Sequence, residues 1–87
     1  MTNKIKILNN ICYTKLVYGR INKKLKTNFS KKEIEELLFN ILEETNEKFY
    51  NKIGKNFYIT NTNNNIKITV NSNTFRVITV DKIKPLT

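Results

Sequence analysis

Apolar positions change their period partway along the chain. Up to about residue 49 they recur every three or four residues, and from residue 56 they alternate with polar ones. The clearest run is Ile34, Leu37, Leu38, Ile41 and Leu42, with Glu35, Glu36, Glu43 and Glu44 between them, which describes an amphipathic helix. Its start is marked by Ser30 and Glu33 as a capping box, with Phe29 and Ile34 placed to staple the entry. The pattern predicts a helix from Ser30 to about residue 49, with Gly54 in the turn that follows. An earlier stripe of Tyr13, Val17, Ile21 and Leu25, with Lys15, Asn22 and Lys26 on the other side, predicts a helix over 14–26. Gly19 inside it costs ~1 kcal/mol relative to Ala, so it either permits close packing or marks a weak point. Ile5, Leu8 and Cys12 predict a further helix in the first dozen residues, although Asn9 and Asn10 are poor helix formers.

Three stretches in the last third, 56–61, 66–71 and 74–81, are rich in Ile, Val, Thr, Phe and Tyr and alternate at period two. Asn-rich loops at 62–65 and 72–73 separate them, and Pro85, lacking a backbone donor, is expected to close the last strand. Loops of even length set Phe57 against Val70 and Ile59 against Ile68, and then Val70 against Phe75 and Ile68 against Val77. The greasy face so formed faces the helix at 30–49. The opposite face carries Tyr58 beside Thr69 beside Arg76, and Thr60 beside Lys67 beside Ile78. The fold expected is α+β: N-terminal helices, then a three-stranded antiparallel β-meander packed on one amphipathic helix.

Length and composition narrow the chemistry. Eighty-seven residues make one domain, 1–87, and leave no room for a two-domain enzyme, while 39% hydrophobic residues set the chain apart from disordered sequences. One cysteine and no histidine exclude an internal disulfide, a His-based catalytic triad and the usual zinc sites. No glycine-rich loop followed by Lys-Ser or Lys-Thr is present to cradle phosphates. No catalytic residue, metal or cofactor is therefore expected. No apolar run is long enough for a membrane span and the N-terminal residues lack the apolar core and small-residue cleavage site of a signal peptide, so the protein is expected in the cytoplasm, without membrane contact.

Charge is what remains. Sixteen Lys and Arg oppose seven Asp and Glu, for a net charge of +9. Residues 1–32 hold eight Lys plus Arg20 and no acid, residues 33–50 carry −5, and residues 51–87 carry +5. Such a surplus attracts polyanions, so RNA or another polyanion is the expected partner, and Arg20, Lys23 and Lys24 are candidate contacts. The competing account is a lysine-rich solubilising surface. On the outer sheet face Tyr58 offers a ring for a base, and Lys67, Thr69 and Arg76 offer donors for phosphate, as in other sheet-based RNA binders. A solvated face of alternating polar residues explains the same positions without a ligand. The edges at 56–61 and 74–81 leave both a monomer and an edge-paired dimer open.

Three segments, Tyr13 through Leu25, Gly54 through Tyr58, and Ile68 through Ile83, resemble a family of small bacterial proteins catalogued as a domain of unknown function, family 3781. The resemblance implies a compact helix-then-sheet domain and names no activity. More distantly, a helix followed by a sheet ending in Arg76-Val77-Ile78-Thr79-Val80 is similar to toxin-type ribonucleases like barnase, a fold-level analogy. It implies a phosphate-handling site at Arg76, Lys67, Thr69 and Tyr58. The functional expectation is a non-catalytic RNA- or polyanion-binding module. The alternatives are a histidine-free, metal-independent ribonuclease of toxin type and a small inhibitor or adaptor docking on a protein or ribonucleoprotein complex.

Overall fold

The computed structural model describes residues 2–83. Three helices come first, α1 (Asn3–Asn10), α2 (Val17–Leu25) and α3 (Lys31–Glu44). A 3-10 turn (Glu47–Phe49) leads into β1 (Tyr50–Ile53), β2 (Asn56–Asn61), β3 (Ile66–Asn71) and β4 (Val77–Lys82). The strands form one antiparallel sheet in chain order, so the architecture is α+β. The expected three-stranded meander is thus corrected to four strands. β1 escaped notice because only Tyr50 of its four residues is buried, so it carries no apolar alternation. Gly54, at φ 61°, and Lys55 make the tight turn that folds β1 back on β2. The edge expected at 56–61 is therefore occupied by β1. Pro85 lies outside the described residues.

The capping box that opens α3 is complete. The Glu33 amide donates to Ser30 Oγ at 3.2 Å, and the Ser30 amide donates to Glu33 Oε1 at 2.9 Å. The helix stops at Glu44 rather than continuing to residue 49. Thr45 turns extended and its hydroxyl donates back to the Ile41 carbonyl at 2.6 Å. Lys4 of α1 reaches across to the carbonyls of Glu43 and Thr45, at 2.6 and 2.8 Å. The helix end is thus satisfied by side chains, and the ammonium lies where the helix dipole favours a cation.

A second correction concerns what covers the sheet. Ile34, Leu38, Ile41 and Leu42 of α3 are buried, but so are Ile7 of α1 and Val17, Ile21 and Leu25 of α2, all in one cluster with the inner face of the sheet. Three helices share the work expected of one. Burying each such aliphatic side chain contributes ~1.5–3 kcal/mol. α2 begins at Val17, three residues later than expected, and ends where Lys26 turns left-handed at φ 56°. A methyl group added at Gly19 would meet open space, so that glycine does not serve close packing. α1 is present, but it buries Ile7 and leaves Ile5 and Cys12 exposed, unlike the stripe expected.

The β2–β3 register is the one expected, with Phe57 opposite Val70, Ile59 opposite Ile68, Tyr58 opposite Thr69 and Thr60 opposite Lys67. The β3–β4 register is not. Val70 faces Val77 and Ile68 faces Val80, with a bulge between. The cause is local. Asn71 Oδ1 accepts the amides of Asn73 and Thr74, at 2.8 and 2.9 Å, and Phe75 is left-handed at φ 59° with its amide on the Asn71 carbonyl. The loop thus consumes residues that alternation had assigned to the strand. Cys12 pairs in parallel with Arg76 instead, its amide donating to the Phe75 carbonyl and its carbonyl accepting from the Val77 amide, both at 3.0 Å. Past the bulge, Thr79 rather than Arg76 stands opposite Thr69, and Asp81 rather than Ile78 stands opposite Lys67.

Candidate functional site

The residues singled out by sequence fall into two separate places. Tyr58, Lys67 and Thr69 lie together on the outer face of β2 and β3. The Lys67 ammonium sits over the Tyr58 ring, 5.9 Å from its centroid, with Asp81 as its cross-strand neighbour. Thr69 is only 5% exposed, and beside it the Thr79 hydroxyl is buried without a hydrogen-bond partner. Thr79 stands opposite Thr69 and Arg76 pairs with Cys12 before β4, so the cross-strand row of Tyr58, Thr69 and Arg76 does not form.

Arg76 meets Arg20 instead. α2 runs alongside β4, and between them lies a cleft of about 260 Å³ lined by Thr14, Leu16, Val17, Arg20, Arg76, Val77 and Ile78. No acid lines it. Arg20 donates through Nη1 to the Ile78 carbonyl at 3.2 Å, which steadies its side chain and satisfies a backbone acceptor at the bulge. Arg76 is held at its backbone by the Cys12 bridge and by the Asn71 amide donating to its carbonyl at 2.9 Å. Lys23 and Lys24 continue from Arg20 around a shallow depression at Gly19. Lys24 pairs with Asp81 at 3.0 Å, the only salt bridge among the described residues.

Most other polar groups are occupied locally. Tyr18 donates to Glu35 Oε2 at 2.7 Å, stacks on Tyr13 at 5.4 Å between centroids, and lies under Lys31. Burial and the Glu35 bond push the Tyr18 phenol up to about 12, and burial raises Tyr13 and Tyr50 as well. These phenols keep their protons at neutral pH. A second cleft, of about 230 Å³, lies between Thr45, Phe49 and Asn61, but the Asn61 amide is committed to Thr45 Oγ1 at 2.8 Å and its carbonyl to the Asn64 amide at 2.8 Å. Among the described residues no group of three or more His, Cys, Asp or Glu could hold a metal ion, and no helix is long and apolar enough to cross a membrane.

The cleft sets two arginines beside the exposed Leu16 and the half-buried Ile78, so positive charge and apolar surface adjoin there. Leu16, Thr14 and Ile78 were not candidates from sequence. The one available signal was Leu16 itself, an apolar residue off the buried stripe between Lys15 and Arg20. A family model described as "Protein of unknown function (DUF3781)" matches residues 5–81, and the chain belongs to that family. No curated protein and no solved structure matches it, so the likeness to barnase-type ribonucleases has no structural neighbour behind it.

Proposed function

We propose that the protein is a small, non-catalytic binding module for RNA or another polyanion, acting in the cytoplasm. The observation that supports this most is the Arg20–Arg76 cleft, where one arginine from α2 and one from the residue before β4 line one concavity and, among the described residues, no Asp or Glu joins them. Cations without an internal counter-ion bind phosphates with release of condensed salt, which gives affinity without sequence preference. The wider surface agrees. Of the sixteen Lys and Arg, all but Lys84 lie among the described residues, and of these only Lys24 forms a salt bridge. Glu33, Glu35 and Glu44 are engaged with Ser30, Tyr18 and Asn64, not with the cleft.

The ribonuclease alternative needs Arg76, Lys67, Thr69 and Tyr58 to converge on one phosphate. Arg76 lies with Arg20 while the other three share the outer face, so binding is the better reading. A salt titration with labelled RNA tests it. Affinity should fall as salt rises, with the RNA intact throughout; no binding at low ionic strength rejects the reading, and cleavage abolished by Arg76→Ala rejects its non-catalytic half.

A further inference from the structure

We infer that the Arg20–Arg76 cleft takes one unstacked nucleotide of single-stranded RNA, with its base against Leu16 and Ile78 and its phosphate between the two guanidiniums. This rests on the binding reading above and narrows it. A surface that only gathers phosphates needs cations and no apolar wall. Here Leu16, Val17, Val77 and Ile78 make most of the lining. Leu16 is 82% exposed at the start of α2, beside the arginines, with nothing over it. Bases inside an RNA duplex are stacked and shielded, whereas single strands offer base faces that pack on apolar and guanidinium surfaces.

Size and rigidity point the same way. About 260 Å³ corresponds to roughly nine water volumes, space on the scale of one base. Arg20 is tied to the Ile78 carbonyl, so its guanidinium needs little further ordering on binding. Lys23, one helical turn beyond Arg20, is placed for the adjoining phosphate.

The discriminating variant is Leu16→Asn, which leaves the net charge unchanged and alters a side chain that the fold hardly uses. Binding of a short single-stranded RNA, the matching duplex and inorganic polyphosphate would be measured for wild type, Leu16→Asn and Arg76→Gln, with melting curves to confirm folding. Leu16→Asn should weaken the single strand about five-fold and leave duplex and polyphosphate unchanged. Arg76→Gln should weaken all three and flatten the single-strand salt dependence by about 0.7 in log–log slope. Wild-type affinity of Leu16→Asn for the single strand, with Arg76→Gln still weakened, overturns base insertion and leaves the polyanion reading standing. No RNA binding by the wild-type protein removes both. Binding of an acidic peptide in a Leu16-dependent way, without such dependence for RNA, overturns the inference in favour of a protein partner.

Discussion

Lys67 lies within β3 and Arg76 just before β4, and the two cations live differently. Lys67 rests on the Tyr58 ring with Asp81 across the strand from it. Arg76 lines a cleft whose other charged residue is Arg20, and no carboxylate pairs with either among the described residues. On the outer face Lys67 has an aromatic ring against it, whereas the cleft sets two arginines beside exposed Leu16. The loop ahead of β4 creates the difference, because it takes up Thr74, Phe75 and Arg76 and sets Val77 opposite Val70, which removes Arg76 from the row that Tyr58 and Thr69 begin.

The most severe way to break the comparison is to remove the wall that α2 supplies. Ile21, fully buried, holds α2 to the core, and Ile21→Ala should cost ~2–5 kcal/mol in a denaturant unfolding curve. A cost below ~1 kcal/mol would mean that α2 is not anchored as described. Next comes the charge itself. Replacing both Arg20 and Arg76 by Gln should lower the slope of log affinity against log salt for single-stranded RNA by about 1.4, and Lys67→Gln should leave it nearly unchanged. Equal effects would erase the distinction between cleft and face.

Stability and binding can then be separated on α3. Ser30→Ala removes the capping box and should cost ~1 kcal/mol without altering RNA affinity. The same box has a pH signature. The Ser30 amide and hydroxyl hold the Glu33 carboxyl below its ordinary value, so its contribution is complete above the usual carboxylate range. It disappears as pH falls through the lowered value, and Glu33→Gln should remove that acid-side decline in melting temperature. The smallest change expected is a gain. Gly19→Ala meets open space in a helix and should stabilise the protein by ~0.5–1 kcal/mol.

How much could be read from sequence follows from where local signals agree with tertiary ones. Ser30 and Glu33 announce α3 because the cap is made within four residues, and Phe57, Ile59, Ile68 and Val70 announce the β2–β3 register because each buried residue meets another directly. The end of α3 was not legible, since it depends on Lys4 arriving from a distant helix. Nor was β1, whose exposed Asn51, Lys52 and Ile53 show no alternation. The cleft was hidden for a related reason. Thr74, Phe75 and Arg76 read as strand, but Asn71 captures the loop amides and Phe75 adopts a left-handed turn that its bulky side chain does not advertise. Arg20, Lys23 and Lys24 were found by charge alone, and the proximity of Arg20 to Arg76 came only from the packing of α2 along β4.

The most direct measurement is an amide and side-chain NMR map of the protein titrated with a short single-stranded RNA. Shifts concentrated at Thr14, Leu16, Val17, Arg20 and residues 76–78, with Tyr58, Lys67 and Thr69 unmoved, are what the cleft predicts. Shifts centred on Tyr58 and Lys67, leaving the Arg20 and Arg76 signals in place, would contradict it.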